Sequence, residues 1–324
     1  MIVSAHCARS RPKPLFSGRH FLASLPSLRA LRAVLALALM LALCGALSGC
    51  AWLDLRQREI ALRPSPTQPQ HVQAAEAFWR PGDTRELVAL PGGQQLAMWW
   101  LPAAEPDAPA LLYLHGTFRN LYQNVPKIAA LREAGYAIVA VDYRGWGDST
   151  ALVPSEATIH ADAALAWAEL QRRQPDATRR VIYGHSMGGA VAVTLASGLK
   201  HGRDYGALVL ESTFTRLPDV AATAGWFGRL GAWATTLEFD SLSRIGRIDA
   251  PLLMLHGSAD TTVPVELGRR LRDAAPPGVR WVEFDGGSHS RLQLEFPDLY
   301  QKTLRPLMNA TKTKPATPAR ALSP

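Results

Sequence analysis

The run Val181-Ile182-Tyr183-Gly184-His185-Ser186-Met187-Gly188-Gly189-Ala190-Val191-Ala192-Val193 constrains this chain more than any other stretch. A short apolar strand leads straight into a serine bracketed by glycines, and an apolar helix follows, which is the pattern of a nucleophile elbow. So tight a turn strains the serine backbone and leaves no room for Cβ atoms at Gly184 and Gly188. It lifts the Ser186 hydroxyl clear of the sheet. It also aims the backbone N–H of Met187, and the positive end of the helix, at an oxyanion formed beside the serine. Five residues with glycine at both ends recur by chance, so the reading rests on their surroundings.

Upstream, Ala110-Leu111-Leu112-Tyr113-Leu114 reads as a buried strand ending in His115-Gly116-Thr117. The second oxyanion donor of an elbow comes from the loop after such an early strand, which selects the N–H of Thr117. Downstream, the acid and then the histidine are expected in that order. Pro251–Leu255 is an apolar strand that delivers Asp260 into the loop beyond it, 74 residues after Ser186. Arg280–Phe284 is an alternating strand that leads into Asp285-Gly286-Gly287-Ser288-His289, placing His289 on a glycine-rich loop 29 residues past the acid.

Ser186, Asp260 and His289 are therefore the expected nucleophile, acid and general base, with Thr117 and Met187 as oxyanion donors. Glu211, at the end of the strand after the elbow, is the competing acid and ranks behind Asp260. Asp142 precedes the serine and is expected to order the turn Arg144–Gly147. His115 is read as a loop-shaping residue, His185 is set aside because an elbow turns adjacent side chains in different directions, and His160, His201 and His256 are read as solvated or loop-bonded. A hydroxyl nucleophile served by a histidine supports acyl transfer, and serine at the elbow argues against reactions that need a carboxylate nucleophile. No cofactor is required, and no His-x-x-x-His or clustered Cys/His pattern points to a metal.

Eight strand-like runs, at Glu86–Leu90, Gln95–Leu101, Ala110–Leu114, Ala137–Val141, Arg180–Tyr183, Ala207–Leu210, Leu252–Leu255 and Trp281–Phe284, alternate in their later part with helical patterns. The helices are expected at Leu121–Ala134, Thr158–Arg173, Met187–Leu199, Val265–Ala275 and Arg291–Met308. Such alternation predicts an α/β fold, a mostly parallel eight-stranded sheet with helices on both faces. Residues 214–247 form a small lid insertion containing Trp226, Phe227, Leu230, Trp233 and Phe239. These either line an acyl pocket or pack the segment onto the sheet.

From about Glu86 to Leu307 the chain resembles the alpha/beta-hydrolase superfamily, and within it the small-lid serine hydrolases described as lysophospholipase-like, esterase-like or serine-aminopeptidase-like. The likeness lies in Leu112–Gly116, Val141–Ser149, Gly184–Gly189, Leu255–Asp260 and Gly287–His289 taken in order. It implies the fold, and a serine hydrolase acting on small-molecule or lipid acyl substrates, with peptide or acyl-amide cleavage as the neighbouring reading and a noncatalytic envelope lipoprotein behind both. The first loop departs from the common His-Gly-Asn-Ala-Gly-Asn, reading His115-Gly116-Thr117-Phe118-Arg119-Asn120, so Phe118 and Arg119 are expected to narrow the entrance.

The net charge of +8 looks like a cue for nucleic acid. Six basic residues before residue 50 and five after residue 300 lie where no acidic residue occurs, and the region between them carries −3. No basic binding face follows, so no nucleic-acid partner is expected, nor an obligate protein partner. The six basic residues precede the apolar run Ala33–Leu43 and then Leu47-Ser48-Gly49-Cys50, the order of a secretory signal. Its end resembles a bacterial lipobox. That resemblance implies residues 1–49 as a signal peptide, lipidation of Cys50, and a mature chain facing the periplasm, on the outer membrane given Ala51. An uncleaved anchor is the alternative. Residues 50–80 then serve as the tether, 81–310 as the catalytic domain and 311–324 as a disordered tail. With Cys7 and Cys44 removed, Cys50 would have no partner for a disulfide.

Overall fold

The computed structural model describes residues 51–312, together with Arg32, Leu39, Met40 and Gly49. Most of the leader, Cys50 and most of the C-terminal tail lie outside the described residues. Eight strands, β1 (Thr84–Leu90), β2 (Gln94–Leu101), β3 (Ala110–Leu114), β4 (Ala137–Asp142), β5 (Arg180–His185), β6 (Ala207–Glu211), β7 (Leu252–Gly257) and β8 (Arg280–Phe284), form one sheet. Their order is β1-β2-β4-β3-β5-β6-β7-β8. The β1–β2 hairpin joins β4 antiparallel, and every other pairing is parallel.

Burial explains the strand sequences. Every residue of β3 to β7 is buried, as unbroken apolar runs require when helices cover both faces of a parallel sheet. Alternate residues serve two separate cores. Leu112, Leu114, Ile182, Leu208 and Met254 enter one, and Leu111, Tyr113, Val181, Val209 and Leu253 the other.

The helices are α1 (Val125–Glu133), α2 (Glu156–Arg173), α3 (Met187–Ala196), α4 (Leu217–Ala222), α5 (Gly225–Ala234), α6 (Val265–Asp273) and α7 (Pro297–Lys312). Ile159 and Trp167 of α2, Val191 of α3 and Leu271 of α6 pack into the first core; Ile128 of α1 and Tyr300 of α7 pack into the second. Ser155 and Thr158 close a reciprocal cap on α2, starting it two residues before the expected Thr158. The helix expected over Arg291–Met308 is broken into a turn at Leu292–Glu295 and α7. Pro297 has no N–H to continue the ladder, and Phe296 leaves the helical region at ψ 57°. Met187–Leu199 likewise stops at Ala196, where Ser197 turns its hydroxyl back onto the Thr194 carbonyl.

Within the insertion the aromatic residues divide. Phe214 and Phe239 are buried in the first core. Trp226, Leu230 and Trp233 of α5 are 73%, 53% and 85% exposed, so these three face solvent and do not pack onto the sheet. Spacing of four and three residues sets them on one outward helix face. Among the described residues no helix is long and apolar enough to cross a membrane.

The stretch read as a tether is folded in its described part. Residues 51–62 are helical, Leu62 and Ala75 are buried in the two cores, and Pro66 bridges to Gly147. Asp83, just beyond, takes two bonds of 2.9 Å from the Arg132 guanidinium. Truncating a buried leucine costs about 2 to 5 kcal/mol. We expect Leu62→Ala to lower the unfolding free energy by that amount in urea titration; a loss under about 0.5 kcal/mol would mean that the segment is not part of the core.

Candidate active site

The elbow is built by close backbone approach. A Cβ on Gly184 would come within 2.3 Å of the Gly188 carbonyl oxygen, and one on Gly188 within 2.1 Å of the Leu114 carbonyl oxygen, so both positions admit only glycine. Ser186 sits at φ 55°, ψ −122°, a left-handed conformation strained for any L-residue. Three hydrogen bonds hold it there: its N–H donates to the Glu211 carbonyl at 2.9 Å, and its own carbonyl accepts from Gly189 N–H and Thr213 Oγ1, each at 2.9 Å.

The loops after β7 and β8 bring the other two predicted residues to this serine. His289 Nδ1–H donates to Asp260 Oδ2 at 2.7 Å, leaving Nε2 to accept from the Ser186 hydroxyl at 3.0 Å. The second carboxylate oxygen of Asp260 accepts from the N–H groups of Thr262 (2.9 Å) and Val263 (2.8 Å). Burial pushes Asp260 up, but hydrogen bonds from His256 and His289 outweigh it and hold the carboxyl well below the usual carboxylate range. It is an anion at any physiological pH and its partner His289 is fixed in one tautomer.

Ser186, His289 and Thr117 line an open cavity of about 310 Å³, with Phe118 and Arg119 beside them. Phe118 adopts φ 71°, which folds the loop after β3 over Gly116, and Gly116 packs against Ser186 so closely that a Cβ there would meet the serine Cβ at 2.9 Å. Met187 opens α3, where a first-turn N–H has no partner within the helix. Among the described residues no group of three or more His, Cys, Asp or Glu could hold a metal ion.

The competing residues are occupied elsewhere. Glu211 is wholly buried and binds Lys127, Tyr183 and Tyr300. His115 lies buried among Tyr143 and Trp146, its Nε2 3.4 Å from Asp142, and burial pushes it down to about 4. Asp142, pushed well up by burial, accepts from Leu121 N–H and fills the space a Cβ on Gly147 would need, so it holds the Leu121 loop and packs under the Arg144–Gly147 turn. Arg144 is held by Asp162.

One functional contact was not foreseen from the sequence. His185 Nε2–H donates to the main-chain carbonyl of His289 at 3.1 Å, so the residue before the serine pins the loop that carries the base. The signal available was its place at the end of β5, facing the loops at the carboxyl ends of the strands. Burial, then the nearby Lys127 charge, pushes His185 down to about 3. Unfolded, it takes a proton near pH 6.5. The stability it lends is thus fully present above pH 6.5 and is lost as pH falls from there toward 3, because the unfolded chain binds the extra proton. Between pH 6 and 4 the wild type should lose about 1.4 kcal/mol per pH unit more than His185→Gln in urea titrations. Parallel profiles would show His185 to be solvated.

Comparison with known proteins agrees with this geometry. Residues 105–244 match the family model described as serine aminopeptidase, S33. The lysophosphatidylserine lipase ABHD12 of Danio rerio is 34% identical over 194 residues, 55% of this chain and 50% of that protein. The chain thus spans about half the length of that lipase. An uncharacterized protein of Mycobacterium tuberculosis is 33% identical over 211 residues, 64% of this chain and 73% of the other. In structure, an esterase of Pyrococcus furiosus superposes with a TM-score of 0.59 at 20% identity, covering 72% of this chain and 94% of that one, which speaks for the fold. With the elbow, the sheet order and the strand-end loops all in place, the chain belongs to the alpha/beta-hydrolase family, in its S33 serine-aminopeptidase-like branch.

Proposed function

We propose that this protein is a serine hydrolase that cleaves carboxylic ester or thioester bonds, with lipid esters its favoured substrates. The observation that carries the reading is the continuous chain of hydrogen bonds from Asp260 through His289 to Ser186 at the wall of an open cavity. As the Ser186 oxygen attacks the acyl carbon, His289 Nε2 takes its proton and Asp260 stabilises the imidazolium. The N–H groups of Thr117 and Met187 receive the oxyanion. The bond to the leaving oxygen or sulfur then breaks, and His289 returns the proton to the leaving group. Water gives a proton to His289 as its oxygen attacks the acyl-serine; the acid departs and the proton goes back to Ser186. The names of the relatives, lipase and esterase, favour an ester over an amide.

The wall of the cavity bears on the neighbouring aminopeptidase reading. An aminopeptidase receives a protonated amine beside the scissile carbonyl, and a carboxylate is the group that would greet it. Among the described residues neither Asp nor Glu lines this cavity, and Arg119 and Arg291 do. That charge pattern disfavours an ammonium substrate.

We also infer that the enzyme works at a membrane facing the periplasm, held by lipid on Cys50. The support is the order of basic residues, apolar run and Leu47-Ser48-Gly49-Cys50.

Two experiments test these readings. A fluorophosphonate probe should label the wild type and not Ser186→Ala, and ester turnover should fall by a factor on the order of 10⁴ to 10⁶ in the variant; a folded wild type that never labels overturns the catalytic reading. Cys50→Ala should shift the protein from the membrane fraction to the soluble fraction, and unchanged sedimentation would sink the lipid anchor.

A further inference from the structure

The cavity beside Ser186 adjoins a second one of about 360 Å³, and Arg119, Asn124, Ser290 and Arg291 belong to the walls of both. Along the two linings the permanent charges are Arg119, Arg291 and Lys127; among the described residues no Asp or Glu lines either wall. Lys127 is neutralised from beneath by Glu211. The arginines are not comparably matched. Arg119 forms no ion pair or side-chain hydrogen bond among the described residues. Arg291 has Glu295 at 3.9 Å, a carboxylate already taken by the N–H and hydroxyl of Ser288. A third guanidinium, that of Arg63, lies over the Phe118 ring 4.7 Å from its centroid. The Arg119 loop is also fixed, by a 2.9 Å bond from Arg119 N–H to the Thr117 carbonyl, next to the proposed oxyanion donor.

Both guanidinium groups are exposed at the cleft, where they raise its positive potential. Their planar forks match the oxygens of a phosphate or carboxylate. Gln123 adds an amide donor to the wall of the second cavity, while the amide nitrogens of Asn124 and Gln293 donate to the Arg119, Asn120 and Ser290 carbonyls and hold the loops around it.

We propose that the second cavity is the subsite for the anionic end of the substrate, a phosphate or a carboxylate held between Arg119 and Arg291 while the ester carbonyl lies at Ser186. This rests on the serine-hydrolase reading. The test compares one acyl chain esterified to glycerol, to glycerol phosphate and to glycerate. Wild type should prefer the charged esters at least tenfold in kcat/KM, mostly through KM, and added salt should erode the preference. In Arg119→Gln/Arg291→Gln the charged-to-neutral ratio should fall by about 10- to 100-fold, the range for losing charge-assisted hydrogen bonds. Arg119→Lys should keep part of it. Preference for the phosphate ester alone identifies phosphate as the ligand chemistry; preference for both identifies any small anion. Turnover of the esters with no charge preference, or a preference that survives in the double variant, overturns the subsite while leaving the hydrolase intact. If no ester is cleaved and the fluorophosphonate fails to label, the hydrolase reading falls and the subsite with it.

Discussion

A carboxylate with no exposure stands at the centre of this molecule. Glu211 closes β6, and its side chain binds Lys127 from α1, Tyr183 from β5 and Tyr300 from α7, while its main-chain carbonyl receives the N–H of Ser186. Burial by itself would push Glu211 up; the adjacent Lys127 ammonium outweighs it and holds the carboxyl below its ordinary range. Removing one member of such a pair leaves the other charged and dry, which costs about 3 to 5 kcal/mol. One residue therefore fixes the strand beside the elbow, the helices across that face and the serine backbone itself.

That arrangement also shows what could be read from the chain and what could not. Ser186, Asp260 and His289 were legible because each follows a short apolar run, and the glycines around them mark where the backbone leaves a buried strand. Glu211 sits in the same kind of position, and its different fate depends on Lys127, 84 residues earlier in the chain, which no local pattern links to it. His185 was set aside because adjacent residues point apart; in the fold, pointing away from Ser186 aims it at the His289 carbonyl. Strand positions followed from hydrophobic runs alone. Helix ends did not, because Pro297 and Ser197 act through hydrogen bonds that hydrophobic periodicity does not register.

Charge and apolar surface are segregated around the site. Arg119 and Arg291 line both cavities, while Trp226, Leu230 and Trp233 of α5 face solvent. The same insertion is anchored at its far end: Glu156, in the first turn of α2, accepts from the N–H groups of Glu238 and Phe239. The outward face of α5 thus rides on a segment whose base is fixed, and helix 51–62 is tied to it through Gln57, Asp54 and Thr236.

The backbone of Ser186 has a bearing on the history of the family as well as on its chemistry. Its φ of 55° and ψ of −122° belong to glycine, and a serine holds them at a cost of about 1 to 3 kcal/mol. Under the proposed hydrolase reading, use of the hydroxyl is what keeps a serine there. A descendant lineage that no longer needed the reaction would gain stability by mutating this codon to glycine, and would gain little from alanine. Among homologues, glycine at this position would be the mark of a scaffold retained after its catalysis was lost.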